Sequence, residues 1–392
     1  MDRRPETFTQ AGSSTEVDTR TAAGFLTDED VARVRRHAAE IERRGELTPE
    51  VLELIYDQRL FKLFVPEELG GRLMDLPDAL RLFEQASWVD GNFGWLVTIG
   101  SGGGYFVNYI SPALLERVFG AREAVIAGSG RPGGTATPVA GGYRVNGTWT
   151  YCSGALHATV FTAGVLVGRV LRAFAFFPEE VTVHPDWDTV GLRGTSGHSF
   201  SVKDVFVPAE RMFDLTRPHG RYNHAIYRYP FLAFAEASFA AVVLGIAGHF
   251  FDEAAAVLER RRAERAARQT LTARQRAAGG AEGPHALAQA ALADARRTLA
   301  QRREAFYQAV ERSWASCVSN GAPTQAEERA VGRESRVAAA LVTERADALL
   351  PFLGMEGITM NSTINRIWRD LHTARQHAAL VPAGELDAGE GA

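Results

Sequence analysis

The chain has 392 residues, of which 46% are hydrophobic and 23% are charged, and its formal net charge is −4. A chain of this length is too long for one ordinary hydrophobic core, so two or three domains are expected. The chain has no surplus of basic residues, which argues against nucleic acid as a partner. The two cysteines, Cys152 and Cys317, exclude a disulfide framework and have no Cys-x-x-Cys spacing, which favours a reducing cytoplasmic setting and predicts no metal site.

The first part of the chain is polar and then helical. Residues 1–24 are mixed in charge and lack the apolar core of a signal peptide, so we expect a disordered tail. Capping signals and helical periodicity predict an N-terminal helical domain over residues 25–122. Its predicted helices cover residues 27–44, 48–59, 75–89 and 111–119. Glycines interrupt the apolar stretch 93–106 and are expected to weaken or kink a helix there.

Strand-like sequence is concentrated in one block, which predicts a middle β-domain over residues 123–214. Gly141 and Gly142 separate two strand-like runs and predict a hairpin. Further strands are predicted at residues 143–151, 160–170, 173–177 and 200–207.

The last part of the chain, residues 215–392, is predicted to be a C-terminal helical bundle. Its predicted helices cover residues 230–262, 286–319 and 325–350. Residues 263–283 are expected to extend a helix that frays into a loop. The longest apolar run, residues 231–251, contains Glu236 and His249, so a buried helix is favoured over a membrane span.

A sheet region between two helical regions is an uncommon chain order, which favours an enzyme that holds a flat cofactor between the sheet and the bundle. Three segments in this order, residues 64–71, residues 204–208 and Arg369 with Asp370, resemble the acyl-CoA dehydrogenase superfamily. The resemblance covers residues 26–380. It implies an α+β multidomain fold with a helical N-terminal domain, a middle β-barrel-like domain and a C-terminal four-helix bundle. It also implies a homo-oligomer, a dimer or tetramer.

Within that superfamily, residues 143–154 and 368–372 are more similar to the oxygenase component of two-component flavin monooxygenases. This resemblance implies a flavin, FAD or FMN, that a separate flavin reductase supplies in reduced form, and O2 as a second substrate. One oxygen atom would pass, through a C4a-(hydro)peroxyflavin, to a small aromatic or heteroatom-containing substrate.

The resemblance assigns the main catalytic role to His372. A histidine titrates near neutrality, so it can take a proton from a phenol or donate one to a departing peroxide oxygen. The alternative is a surface histidine that pairs with a carboxylate. His377, His157 and His198 are weaker candidates, and His198 is more typical of a turn residue.

Other residues are assigned to the flavin by the same resemblance. Tyr151, Cys152 and Ser153 are expected to lie along it, with Ser153 catalytic near its reactive edge. The turn at residues 353–357 resembles a family loop that reaches a flavin through its backbone. Its predicted contact residues are Gly354, Glu356 and Gly357.

Gly128, Ser129 and Gly130 begin a Gly-x-Gly-x-x-Gly pattern, but a nicotinamide site is rejected. Pro132 and the following hairpin leave no helix start to receive a pyrophosphate. The small residues instead favour close approach of the backbone to the flavin ring.

Trp95, Tyr105 and His157 are the predicted substrate contacts, with core packing as the alternative for the aromatic residues. Some phenol-hydroxylating relatives carry a substrate-binding histidine near residues 100–104, where this chain has glycines and a serine. The difference disfavours a simple phenol as the substrate.

Two other functions stay open at this point. An acyl-CoA dehydrogenase needs a carboxylate base, and the position nine residues after the terminal Arg-Asp pair is Ala378, which leaves Glu236 as the candidate. A non-catalytic protein of the same fold that only binds a ligand is the second alternative.

Overall fold

The computed structural model describes residues 25–271 and 283–381. The predicted disordered tail and part of the predicted fraying segment, residues 272–282, lie outside the described residues. The helices are α1 (Asp28–Arg44), α2 (Pro49–Asp57), α3 (Leu76–Val89), α4 (Gly91–Gly102), α5 (Leu115–Phe119), α6 (Phe231–Leu271), α7 (Gly283–Asn320), α8 (Gln325–Leu353), α9 (Met355–Ile358) and α10 (Thr363–Arg375). The strands are β1 (Ile126–Val139), β2 (Gly142–Trp149), β3 (Val160–Val167), β4 (Val170–Phe176), β5 (Thr182–His184), β6 (Ser199–Pro208) and β7 (Met212–Phe213).

Local signals explain where the first helices begin and end. The Thr27 hydroxyl accepts a hydrogen bond from the Asp30 N–H, and the Asp30 carboxylate accepts one from the Thr27 N–H. This reciprocal capping box satisfies backbone donors that have no partner within α1. At the other end Gly45 adopts φ +76°, a left-handed conformation that glycine reaches without a steric penalty.

Helix α4 forms despite its glycines, because the glycines allow close packing. A Cβ atom on Gly94 would lie 2.2 Å from the Ser87 Oγ of α3, and one on Gly100 would lie 2.3 Å from the Phe61 ring. The Asp90 carboxylate caps the helix by accepting hydrogen bonds from the Asn92 and Phe93 N–H groups. The expected weakening takes the form of a change to a 3-10 helix after residue 102.

The sheet has seven strands in the order β5-β6-β2-β1-β3-β4-β7. The predicted hairpin joins β1 to β2, which pair antiparallel from Val139 and Gly142 outward. Strands β1 and β3 pair in parallel, and their register shifts between Ser129 and Pro132. The shift interrupts the backbone ladder in the middle of β1.

Most helices before and after the sheet share one hydrophobic core, and the sheet has a second. Helix α6 lies at the centre of the first core, where it packs against α3, α7, α8 and α10. This helix is long and apolar enough to span a membrane, but most of its apolar stretch is buried inside the protein. The predicted domain boundaries stay a prediction.

Candidate active site

A cavity of about 660 Å³ lies between the sheet and the helices α4 and α6. One wall comes from β1, β3 and β4, and the opposite wall comes from α4 and the first turns of α6. The lining is mainly apolar and includes Ile99, Phe106, Ile126, Leu171, Phe213, Phe231, Phe234 and Phe239. A volume between about 300 and 1,000 Å³ with a few polar groups is typical of a small-molecule site.

The β1 wall contains three of the predicted flavin contacts. Gly128, Ser129 and Gly130 all line the cavity, at the point where the pairing of β1 with β3 is interrupted. The Gly-x-Gly-x-x-Gly pattern therefore lies inside a strand, and no helix follows it in this position. The backbone is exposed to the cavity here, as close approach to a flat ring requires.

Ser153 lies next to the cavity and not in its lining. Its Oγ accepts a 2.9 Å hydrogen bond from the indole Nε1–H of Trp95, and both side chains are buried. The indole also lies beside Phe239 and His377, with ring centroids 5.3 and 5.9 Å away. Trp95 thus connects Ser153 to the cavity wall.

The two residues before Ser153 differ from each other in exposure. Tyr151 is 64% exposed and adopts φ +63°, which is uncommon for a residue with a side chain. Cys152 is buried, and burial raises the pKa of its thiol, so this cysteine is protonated and unreactive at neutral pH.

The loop that carries Ser153 is held by a second loop from the same β region. The Gly154 N–H donates a 2.8 Å hydrogen bond to the Thr195 carbonyl oxygen, and the Cys152 N–H donates one of 3.1 Å to the His198 carbonyl oxygen. The second loop is fixed in turn by Asp370, whose carboxylate accepts a 2.5 Å hydrogen bond from the Leu192 N–H. Burial, together with the neighbouring Asp90, raises the pKa of Asp370.

His377 is the histidine that lines the cavity. It follows the end of α10, and its ring stacks on Phe239 with a centroid distance of 3.6 Å. Burial, with a contribution from the Arg131 charge, lowers the pKa of the ring to about 4, so the ring is neutral at pH 7. Its Nδ1 accepts a 3.3 Å hydrogen bond from the Ala379 N–H, which assigns the ring proton to Nε2.

His372 does not line the cavity. Its Nε2 lies 2.9 Å from Asp347 Oδ1 on α8, and its ring packs on Trp368 with a centroid distance of 4.2 Å. The side chain is 25% exposed on the outer part of α10. His372 therefore lies beside a carboxylate and outside the cavity lining, and its role as the catalytic residue stays a prediction.

The structure also separates the other predicted substrate contacts from the cavity lining. Tyr105 is buried in the core, where its hydroxyl donates a 2.8 Å hydrogen bond to the Tyr229 carbonyl oxygen. His157 stacks on Phe61 with ring planes 2° apart, and burial lowers the pKa of its imidazole to about 4. His198 accepts a hydrogen bond from the Trp187 N–H, as expected of a turn residue.

The turn at residues 353–357 lies away from the cavity of its own chain. A Cβ atom on Gly354 would lie 2.1 Å from the Arg261 guanidinium of α6, and Glu356 pairs with Arg260 at 3.1 Å. Gly357 accepts a 2.8 Å hydrogen bond from the Asn365 side chain through its carbonyl oxygen. These three residues contact the bundle, and within one chain the structure does not bring them to Ser153.

The candidate dehydrogenase base faces the bundle interior. Glu236 is buried on α6 and forms an ion pair with Arg336 of α8. Burial raises the pKa of its carboxyl group, and the Arg336 charge opposes this effect. Glu236 does not line the cavity, although its neighbour Ala235 does.

Several cavity residues were not predicted from the sequence. Phe239 lies within the apolar run of α6, where nothing distinguishes it from core positions. Arg172 and Asp214 form a charged end of the cavity, and they come from β4 and from the segment after β7. An arginine among apolar strand residues is a detectable signal, but its partner is known only once β4 and β7 are paired.

The glycines in the cavity walls leave room for a flavin ring. A Cβ atom on Gly102 of α4 or on Gly130 of β1 would meet nothing within 4 Å, so both walls leave open space. Apolar side chains provide flat contact surface, and His377 provides a polar group at the edge. The exposed Tyr151 lies beside the Arg131 guanidinium, 5.9 Å from ring centroid to carbon, so a cation is available near the same wall.

Two models of the acyl-CoA dehydrogenase family match this chain. The N-terminal domain model covers residues 20–118, and the C-terminal domain model covers residues 237–382. A pigment production hydroxylase of Rhodococcus sp. is 30% identical over 354 residues, which are 86% of this chain and 87% of the relative. The chain belongs to the acyl-CoA dehydrogenase family.

Several relatives of this chain are named as monooxygenases. The indole-3-acetate monooxygenase of Pseudomonas putida is 28% identical over 366 residues, 92% of this chain and 90% of the relative. The HsaA oxygenase subunit of a flavin-dependent monooxygenase from Mycobacterium tuberculosis is 28% identical over 372 residues, 91% of each chain. A crystal structure of the HsaA monooxygenase from M. tuberculosis superimposes with a TM-score of 0.81 at 24% identity, covering 92% of this chain and 95% of that one.

These comparisons confirm the fold class and the flavin-dependent monooxygenase interpretation that the sequence predicted. The chain is a flavin-dependent oxidoreductase of the monooxygenase branch, related to the oxygenase components of such enzymes.

Proposed function

We propose that this chain oxidises a small aromatic substrate inside the cavity, and that His377 donates a hydrogen bond to a reacting oxygen. The observation that carries this proposal is the position of His377, a neutral imidazole in the wall of an otherwise mainly apolar cavity. The names of the relatives support an aromatic substrate, because one is an indole-3-acetate monooxygenase.

Residues of the sheet and of the Ser153 loop would hold the flavin. The exposed backbone at Ser129 and Gly130 would lie along the ring, and Ser153 would stand near its edge with an oxygen already oriented by Trp95. When bound in reduced form, the flavin supplies the electrons that activate O2 for transfer of one oxygen atom to the substrate. Arg131, on the same segment, would favour the anionic form of the reduced ring.

The low pKa of His377 favours a role as a hydrogen-bond donor. A ring whose conjugate acid has a pKa of about 4 is a weak base at pH 7 and does not keep a proton taken from a phenol. Its Nε2–H is available because Nδ1 is engaged by Ala379, so Nε2 can donate a hydrogen bond to a substrate oxygen or to the oxygen being transferred. This role differs from that of the catalytic base, which the sequence analysis assigned to His372.

The apolar walls keep water away from this donor. Phe239 covers one face of the His377 ring, and Phe234 and Phe231 extend the same wall along α6. A hydrogen bond in such surroundings is stronger than in water because the local dielectric constant is lower. Exclusion of water also suppresses loss of the activated oxygen as peroxide.

A separate flavin reductase and a cytoplasmic location are also proposed. The relative from M. tuberculosis is named as an oxygenase subunit, which supports a partner that reduces the flavin. Both cysteines of this chain are buried free thiols, which is consistent with a reducing compartment.

We further propose a homo-oligomer in which the turn after α8 meets a second copy. Met355, Ile358 and Met360 are all more than half exposed, although they are large apolar side chains. A cluster of this kind on a surface favours burial against another protein. Such an interface would also explain why the predicted contacts at Gly354 and Gly357 do not reach the cavity of their own chain.

The proposal is tested by supplying the purified chain with photoreduced FMN or FAD and 18O-labelled oxygen, with indole-3-acetate or a phenol as the substrate. We expect a product that carries one labelled oxygen atom, detected by mass spectrometry, and a measurable affinity for reduced flavin by anaerobic titration.

Other outcomes identify the alternatives. Peroxide as the sole product with every aromatic substrate would contradict the proposal. Anaerobic bleaching of oxidised flavin by an acyl-CoA would support a dehydrogenase, and no flavin binding at micromolar concentration would support a non-catalytic protein.

A further inference from the structure

One end of the cavity is charged, in contrast to the apolar walls. Arg172 of β4, Asp214, Thr216 and Arg217 all line it there. The side chains of Arg172 and Asp214 are 28% and 16% exposed and that of Arg217 is 83% exposed, so the cavity opens to solvent beside Arg217. Two guanidinium groups and one carboxylate leave this end with a net positive charge.

The carboxylate of Asp214 is already engaged by its own loop. Its Oδ1 accepts hydrogen bonds from the Thr216 N–H at 2.9 Å and from the Thr216 hydroxyl at 2.7 Å. These bonds lower the pKa of Asp214, which is therefore ionised at neutral pH. Asp214 holds the loop in place, and its lowered pKa makes it a weak base.

The guanidinium groups are paired only loosely with that carboxylate. Arg172 comes within 3.4 Å of Asp214 Oδ2, and Arg217 comes within 4.0 Å. The side chain of Arg172 donates one hydrogen bond, to the Leu171 carbonyl oxygen at 3.1 Å. Among the described residues, no other carboxylate pairs with Arg172, so several of its N–H donors are directed to solvent or the cavity.

We infer that the substrate is an aromatic acid, whose carboxylate binds Arg172 while its ring lies against the apolar wall that contains His377. This inference rests on the proposed function of the cavity. A guanidinium binds a carboxylate through two parallel hydrogen bonds, which also fixes the orientation of the ligand. One singly charged anion would balance the net charge at this end, and the apolar lining suits the ring.

A phosphate dianion fits less well. Asp214 lies close to both guanidinium groups and would repel a second negative charge. The flavin phosphate is nevertheless the competing anion at this position, so the experiment distinguishes it from a substrate carboxylate.

The test compares indole-3-acetate with its uncharged amide, indole-3-acetamide, by isothermal titration to the anaerobic complex with reduced FMN. For the wild-type chain we expect the acid to bind about tenfold to a hundredfold more tightly than the amide, as one charge-assisted pair provides. In Arg172→Gln this preference should fall to about twofold, and Arg172→Lys should restore part of it. Arg144→Gln, at a side chain that is 48% exposed and does not line the cavity, should change the preference by less than about threefold.

The results distinguish a failure of this inference from a failure of the proposed function. Equal affinities of the wild-type chain for the acid and the amide would overturn the inference. Product formation from the amide would then show that the cavity oxidises aromatic substrates without binding a carboxylate. Loss of FMN affinity in Arg172→Gln with an unchanged preference for the acid would assign Arg172 to the flavin phosphate and also overturn it. Unchanged melting temperatures are the folding control for each variant.

Discussion

Two histidines near the end of α10 lie in contrasting surroundings. His372 is on the outer part of the helix and pairs with Asp347, whereas His377 follows the helix and stacks on Phe239 in the cavity wall. The difference arises because α10 ends at Arg375 and the chain then turns into a 3-10 helix at residues 378–380. The sequence motif therefore identifies the segment near the cavity. The position at which α10 ends determines that His377, and not His372, lies in the cavity wall.

The largest expected effect distinguishes these two histidines. His377→Phe keeps a ring on Phe239 but removes the N–H donor, so product formation should fall about a hundredfold to a thousandfold. His377→Gln supplies a side-chain N–H and should recover part of the loss. His372→Phe is the matched control, and its rate should stay within about threefold of wild type. Product per minute at saturating reduced flavin is the measurement, and equal losses at both positions would contradict the comparison.

Burial of histidines also predicts loss of stability in acid. The pKa values of His377 and His157 are lowered to about 4, and that of His249 to about 3. Unfolding raises each value towards about 6.5, so the unfolded chain binds more protons and stability falls as pH decreases from about 6.5 to about 4.

The size of this loss can be measured by urea unfolding at pH 7 and pH 5. Each ring is expected to contribute on the order of 1–2 kcal/mol to the difference. His157→Gln removes one of these groups and should reduce the difference between the two pH values. A pH dependence that is the same in His157→Gln as in the wild-type chain would show that this ring is not buried in neutral form.

Ser153 and Trp95 provide a smaller test of the cavity wall. Ser153→Ala leaves the buried indole N–H without its acceptor and should cost about 1–3 kcal/mol of unfolding free energy. Adding Trp95→Phe should cost less in the Ser153→Ala background than in wild type, because the hydrogen bond is already absent. Strict additivity in this double-mutant cycle would show that the two side chains do not interact.

The smallest effect on turnover is expected at Glu236. This carboxylate pairs with Arg336 and does not line the cavity, so Glu236→Gln should leave product formation within about twofold of wild type. Steady-state oxidation of the aromatic substrate is the measurement, after correction for folded protein. A decrease of more than tenfold in the oxidation rate per folded molecule would indicate that Glu236 takes part in catalysis and would support the dehydrogenase alternative.

Much of the fold follows from local sequence signals. The capping residues before α1, the glycine pair between β1 and β2, and the apolar periodicity of α8 each predict an element that the structure contains. These signals act over a few residues, so they are readable without knowledge of the tertiary structure.

The site is less predictable because it depends on long-range packing. Gly128 to Gly130, predicted as flavin contacts, lie in the cavity wall, and small residues in a strand signal close approach of another group. Arg172 meets Asp214 only after β4 has paired with β7. Tyr105 is of a residue type that often lines pockets, but it packs in the core. A single sequence does not distinguish an aromatic residue in a pocket from one in the core.

The central claim is that the cavity between the sheet and the helices α4 and α6 is where oxidation occurs. Gly102→Leu and Gly130→Leu test it most directly, because each adds a side chain into open space from one wall. We predict that both variants keep the melting temperature of the wild-type chain and lose product formation by at least about tenfold, with weaker binding of substrate or flavin. Folded variants that form product at the wild-type rate would contradict the claim.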